Sequence, residues 1–247
     1  MISAFFDLDA YQDLYASYLL YHLLSSRSRL KWLSLEKQIW KRPVIIYGAG
    51  VTANIDIDGV LDHHLHESCL NIAVDDAAPL LLRRGIPIDF VVTDLDGSAL
   101  HLVRASELGA ILIVHGHGDN IPSIFDFLSG SDLRILGSSQ VVDLPPYVKL
   151  IEGFTDGDRA LVIACSCGAS MVFLVGMDMS LAIGRFSKKG FVNPRLKRMK
   201  LALGRFLASE TLRRYSETPV YSISRAPCLI DGCKSISPEH ARRLLSP

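Results

Sequence analysis

From Pro43 onward the apolar residues come in short runs, each closed by glycine or an acidic residue. Five runs are strong, at 44–47, 70–74, 90–93, 111–114 and 172–175, and two are weaker, at 134–136 and 149–151. A strand that is apolar at successive positions is buried on both faces, as in a parallel sheet covered by helices. Between the runs lie stretches with helical spacing, at 77–84, 98–108, 121–128 and 158–167. This alternation predicts an α/β fold with a doubly wound, mostly parallel sheet of Rossmann-like form.

Residues 8–40 follow a different period. Tyr15, Leu19, Leu20 and Leu23 share one helical face, and Trp32, Leu35 and Ile39 repeat the spacing, with a break expected at 25–29. The chain therefore divides into an N-terminal helical region, 1–42, and an α/β catalytic domain, 43–247. The longest apolar stretch, 161–175, is interrupted by Ser, Gly and Cys and reads as helix, turn and strand. No run reaches the roughly 20 residues of a bilayer span, and the start has no basic leader, so a cytoplasmic protein without a membrane partner is expected. Charge sharpens this little: 26 basic and 26 acidic residues cancel, which argues against a nucleic-acid binder. The five cysteines are odd in number and irregular in spacing. They read as buried apolar side chains plus two loop thiols, not as a disulfide framework or a zinc knuckle.

The polar residues are the more informative half of the pattern, because they cluster where the strands end. In open α/β sheets the ligand crevice lies beyond the carboxyl ends of the strands. Asp94-Leu95-Asp96-Gly97 places two carboxylates together after the third run. Like charges so close call for a cation, and Mg²⁺ takes carboxylate oxygens while leaving positions for phosphate. A plain acidic turn is the alternative. His115-Gly116-His117-Gly118-Asp119-Asn120 follows the next run. Its spacing also suits a zinc site, but Asp119 reads best as a third carboxylate for Mg²⁺, giving Asp94, Asp96 and Asp119 as metal ligands and catalytic residues. His115, His117 and Asn120 then contact phosphate or substrate. In Gly153–Arg159 (Gly-Phe-Thr-Asp-Gly-Asp-Arg) Thr155 or Asp156 caps a helix whose free N–H groups suit an anion. Thr155 and Gly157 are nucleotide-contact candidates in the same loop, Asp156 and Asp158 are candidates for a second metal or a ribose, and Arg159 for phosphate charge. Gly48-Ala49-Gly50, with Ala53 where a third glycine would fall, resembles the opening of a dinucleotide loop, and a tight strand-to-helix turn is its plainer reading. Lys188 and Lys189, before the basic run Arg195, Lys197, Arg198 and Lys200, either solvate a helix face or meet a triphosphate.

Taken in order, Tyr47–Gly50, Val92–Gly97, His115–Asn120, Gly137-Ser138-Ser139-Gln140, Gly153–Ala160 and Gly176-Met177-Asp178 resemble the archaeal 6-hydroxymethyl-7,8-dihydropterin pyrophosphokinases over about 43–203. Thiamine pyrophosphokinases are a more distant likeness. Two departures stand out: Val51-Thr52-Ala53 where Pro-Ser-Leu is expected, and two serines where the family has threonines before Gln140. The resemblance implies a Mg²⁺-dependent transfer of diphosphate from ATP to the reduced pterin, releasing AMP, in tetrahydromethanopterin or folate synthesis. It also implies nucleotide and pterin contacts among Gly48, Ala49, Gly50, Asn120, Gln140 and Asp178. A homodimer is one assembly the sequence allows. Two other readings of the same residues are a haloacid-dehalogenase-like phosphatase with Asp94 as nucleophile, and a nucleotide-binding module without catalysis.

Overall fold

The computed structural model describes residues 9–26, 30–129, 133–177 and 194–246, the side chains of 194–197 aside. Nine strands form one sheet in the order β6-β5-β4-β3-β2-β1-β7-β8-β9, and every pairing between them is parallel. All seven expected strands are present: β1 (Pro43–Tyr47), β2 (Leu70–Val74), β3 (Phe90–Thr93), β4 (Ile111–Gly116), β5 (Ile135–Ser139), β6 (Val148–Leu150) and β7 (Met171–Val175). The short β8 (Val220–Ser222) and β9 (Lys234–Ser235) extend the sheet beyond β7.

Successive strand residues feed opposite cores. Ile45, Tyr47, Val91, Leu112, Val114, Phe173 and Val175 point to one face, and Val44, Ile46, Phe90, Val92, Ile111, Ile113, Val172 and Leu174 to the other. The first core is closed by α1 (Ala10–Ser25), α3 (Ala53–Asp62), α4 (Leu65–Ser68), α5 (Ala78–Arg84), α6 (Ala99–Glu107), α7 (Ile121–Ser129) and α10 (Pro238–Leu245). The second is closed by α2 (Trp32–Ile39), α8 (Asp156–Ser166) and α9 (Pro194–Arg214). The N-terminal helices therefore grip opposite faces of the sheet. Trp32, Leu35 and Ile39 are buried as their spacing implies, but the buried face of α1 is Asp13, Ala16, Ser17, Leu20 and Leu24. Of the stripe read from sequence, Leu20 is buried and Leu19 and Leu23 pack against the same core, while Tyr15 is 61% exposed. A tyrosine is large and apolar enough to mislead that reading, whereas the alanine and serine let the helix approach the strand ends.

Cys69, Cys165 and Cys167 are buried, Cys228 and Cys233 lie half-buried in the loop between β8 and β9, and none of the five is in a disulfide. Among the described residues no helix is long and apolar enough to cross a membrane.

Candidate active site

Because the sheet is parallel, the polar clusters after β1 to β7 lie along one edge. At the end of β3, Thr93 is fully buried; its hydroxyl donates to Asp75 Oδ1 at 2.7 Å and accepts from Leu95 N at 2.9 Å. Leu95 takes a left-handed φ of 66°, a conformation a branched side chain adopts only when its surroundings fix it. Asp94 Oδ1 accepts from Asp96 N at 3.1 Å, closing an Asx turn. A Cβ on Gly97 would lie 2.6 Å from Asp75 Oδ2, so only glycine lets this turn run against the Asp75 carboxylate. Asp75 and Asp94 are thus held side by side at the ends of β2 and β3. Asp96 is exposed.

The loop after β4 is tied to that turn by Asn120. Its amide donates to Asp94 O and to His115 O, both at 2.7 Å, and its Oδ1 accepts from His117 N at 3.0 Å. Asn120 is buried and fully used within the protein framework. His117 Nδ1 accepts from Asp119 N at 3.3 Å, which leaves Nε2 to carry the ring proton, 3.7 Å from Asp94 Oδ2. Asp119 itself is 87% exposed, 4.0 Å from His117 Nδ1. His115 is buried, stacks on His117 with ring centroids 5.9 Å apart, and meets Ser138 Oγ through Nδ1 at 3.1 Å; its Nε2 has no partner among the described residues. Burial, then the charge of Arg159 and His117, pushes this ring well below the usual histidine range, so it is neutral.

The loop from β6 to α8 adds acidic charge. Thr155 is the N-cap of α8, and Asp158, three residues on, reaches back to accept from Thr155 N at 2.8 Å and Phe154 N at 2.6 Å. Burial raises the Asp158 carboxyl and these bonds oppose the rise. Its oxygens are spent on closing the loop. Arg159 is buried too, donating to Ile151 O at 2.9 Å and Gly153 O at 3.1 Å, so its terminal nitrogens brace the loop and act on the crevice through their charge. Gly157 is buried in the first turn of α8. Asp156 differs from its neighbours. Burial, then the charges of Asp94 and Asp75, push its carboxyl well above the usual range. Three loops thus bring Asp75, Asp94 and Asp156 within reach of one another's fields.

Among the described residues no three His, Cys, Asp or Glu side chains form a ready-made metal group. Mg²⁺ does not need one, since it is commonly held by one or two carboxylates together with substrate phosphates. The hard oxygen donors and the mutual repulsion at Asp94 and Asp156 fit such an ion.

At β1 the Gly48-Ala49-Gly50 turn is sewn to the end of β7: Gly48 N donates to Val175 O and Gly50 N to Gly176 O, both at 2.8 Å. Gly176 has φ 61°, and a Cβ there would meet Gly48 O at 2.7 Å and the Ala53 Cβ at 2.8 Å. Ala53 does the packing work of a third fingerprint glycine, bringing α3 against β7. Thr52 does not cap α3; its hydroxyl donates to Asp56 Oδ2 at 2.6 Å. This turn lies at β1/β7, where the strand order reverses, the usual position for a nucleotide in such sheets.

Asp178, Lys188 and Lys189 lie outside the described residues, while Arg198 and Lys200 sit exposed on α9. One residue in the crevice wall is absent from the motif reading. Asp13 of α1, 4% exposed, accepts from Gly118 N at 2.8 Å and from Gln140 Nε2 at 2.7 Å. Its only local signal is an acid on an otherwise small, buried helix face.

A family model described as 6-hydroxymethylpterin diphosphokinase, MptE-like, matches residues 20–184. The chain is 34% identical over 165 residues to a 6-hydroxymethyl-7,8-dihydropterin pyrophosphokinase of Methanothermobacter thermautotrophicus, covering 64% of this chain and 68% of that protein. It is 31% identical to the one of Methanocaldococcus jannaschii, covering 74% and 78%, and 38% identical to the one of Pyrococcus furiosus, covering 59% of each. In fold it is similar to the MAf glycosyltransferase of Magnetospirillum magneticum, at a TM-score of 0.57 and 18% identity over 81% of this chain and 34% of that one. The match over most of the strand-end clusters is the decisive one, and the chain belongs to the MptE-like family of 6-hydroxymethylpterin diphosphokinases.

Proposed function

We propose that this chain is a Mg²⁺-dependent pyrophosphokinase that moves diphosphate from ATP to 6-hydroxymethyl-7,8-dihydropterin, releasing AMP. Family membership supports the reaction class and the pterin. The observation that carries the site is the packing of the strand ends, where Thr93 binds Asp75 and the Asp94–Gly97 turn runs against that carboxylate, with Asp156 near enough for Asp94 and Asp75 to add to the rise of its carboxyl. An edge that gathers carboxylates within one another's fields suits a cation and the phosphates it brings.

The parts divide by strand. The Gly48–Gly50 turn lets the nucleotide approach the backbone at the β1/β7 reversal. Asp94 would hold Mg²⁺ together with the triphosphate, whose charge the ion neutralises; Asp96 and Asp119, expected as further ligands, are exposed and do not group with it among the described residues. Arg159 adds buried positive charge behind the same loops. The pterin hydroxymethyl oxygen bonds to the β-phosphorus, the bond from that phosphorus to the α–β bridging oxygen breaks, and AMP departs with that oxygen. Asp156, the carboxylate whose surroundings most favour protonation, takes the hydroxymethyl proton. Most of the rate enhancement in such transfers comes from alignment and electrostatics.

Incubation with ATP and Mg²⁺, together with either the reduced pterin or thiamine, tests this by AMP release. AMP with the pterin, lost on chelation, is the expected result. AMP with neither acceptor, or free phosphate with phosphate bound covalently to Asp94, would overturn it. Asp94 follows the third strand of the sheet in chain order, whereas the phosphatase nucleophile belongs at the end of a first strand.

A further inference from the structure

We infer that Asp13 is a positioning residue that fixes Gln140 as an acceptor for the donor edge of the pterin ring; this rests on the reaction proposed above. A carboxylate only accepts hydrogen bonds, and both Asp13 oxygens are engaged, one by Gly118 N and one by Gln140 Nε2. The Gln140 amide can therefore face only one way. Its NH₂ is committed to Asp13, and its Oε1 is turned away, half-buried and without a partner among the described residues.

The surroundings keep that arrangement in register. Ser17 and Ser139 share a 2.8 Å hydroxyl contact one helical turn beyond Asp13, and the Ser139 hydroxyl also accepts from Val141 N and Val142 N. Gln140 is thus held from α1 and from its own turn. It follows β5 directly, at the same edge as the carboxylates. The Gly48 turn after β1 lies four strand spacings away, roughly 19 Å, with Asp94, just after β3, midway. A nucleotide on the glycine turn that reaches β3 with its phosphates leaves the β4–β5 side for the second substrate. A reduced pterin presents a 2-amino group and the adjacent ring N–H, both donors, to which a carbonyl oxygen is the complement. Asp13 precedes the segment that matches the family model, so nothing in that match assigns it a role.

The test exchanges the pair. In Asp13→Asn the new side-chain oxygen still accepts from Gly118 N, but the new NH₂ faces residue 140, so Gln140 turns over and offers a donor where the pterin needs an acceptor. The pterin KM rises about tenfold or more, with the ATP KM unchanged. In Asp13→Asn with Gln140→Glu, one oxygen of the introduced carboxylate accepts from the new NH₂ at position 13 and the other faces the pterin. The pterin KM then returns to within a few-fold of wild type. A pterin KM unmoved by Asp13→Asn, equal rises in both KM values, or a double variant no better than the single one overturns the inference. Calorimetric titration of the same proteins with reduced 6-hydroxymethylpterin separates the two levels. No AMP, but pterin binding that Asp13→Asn weakens and the double variant restores, sinks the reaction and keeps the inference. AMP formation with Asp13→Asn inert in both assays does the reverse, and a wild type that binds no pterin sinks both.

Discussion

Asp156 sits where its surroundings disfavour the charged carboxylate. Its carboxyl is raised by burial and by Asp94 and Asp75, so the folded chain binds this proton more tightly than the unfolded chain does. The cost of ionising it is absent below an ordinary aspartate value of about 4. That cost grows as pH climbs toward the folded value and is complete above it. Asp156→Asn should therefore melt a few degrees above wild type at pH 7 without metal, and level with it near pH 4. The same change should abolish AMP formation and shrink the stabilisation by Mg²⁺ that wild type shows. Melting curves across pH, with and without Mg²⁺, check all three. His115 works in the opposite sense. Its folded value is depressed, so the unfolded chain takes up a proton below about pH 6.5 that the folded chain refuses. The stability it supports is intact above that pH and is lost as pH falls through it. Replacing His115 by Gln keeps a polar partner for Ser138 and should flatten the decline of Tm between pH 7 and 5. The difference between the two melting profiles isolates the ring. Asp94, His115 and Asp156 were legible because each stands in a cluster that ends a strand. Asp13 was not, because its partners are 105 and 127 residues away and a single helical acid looks like a solvated one. The sequence also offered Asp158 and Arg159 as ligand contacts, and the hydrogen bonds they make to their own loop depend on a chain path that no spacing reveals.

At the scale of elements, legibility followed the length of the apolar run. The strands of four or more residues announce themselves and the three-residue β6 shows as a weak run, whereas β8 and β9 have three and two residues and owe their conformation to pairing, β8 with β7 and β9 with β8. Helix α3 is masked in sequence by Asp56 and Gly59, yet Asp56 is buried because Thr52 and Arg225 N satisfy its carboxylate. The seat of α1 on β5 is the element contact with most bearing on the crevice. A Cβ at Gly137 would lie 2.7 Å from Val148 Cγ2 and 2.8 Å from Leu20 Cδ2. Neither can withdraw from a full core without displacing its own element, and overpacking of this kind costs about 1–3 kcal/mol. Gly137→Ala should lower Tm by about 3–10 °C and raise the pterin KM, because Asp13 moves with the helix. Leu20→Ala alone opens a cavity and is also destabilising. Combined with Gly137→Ala it should cost less than the sum of the two, since the added methyl occupies the space released. Strict additivity in thermal melts would mean that α1 is not seated on Gly137.

Over the whole molecule, the N-terminal residues act as a clasp on both faces of the sheet. Leu20 and Leu24 close one core, and Trp32, Leu35 and Ile39 the other. The two sides meet at β5, where Leu20 lies against Gly137 and Trp32 Nε1 donates to Gly137 O at 2.7 Å. The cue at sequence level was a change of period at Pro43, which separates helical from strand segments but carries no information about which face each helix covers. The clasp's contribution can be sized. Five buried side chains at about 1.5–3 kcal/mol each come to roughly 10 kcal/mol, as large as the net stability of a typical domain at about 5–15 kcal/mol. Removing the segment also removes the entropy cost of ordering it, but the strand residues it covered stay in place and become wet. A chain starting at Pro43 should therefore show no cooperative melting transition and should bind a dye for exposed apolar surface, while the full chain melts in one step. A cooperative transition in the shortened chain within a few degrees of the full-length one would show that the sheet and its remaining helices stand alone. The clasp would then serve only to carry Asp13 to the crevice, and activity would be lost without loss of fold.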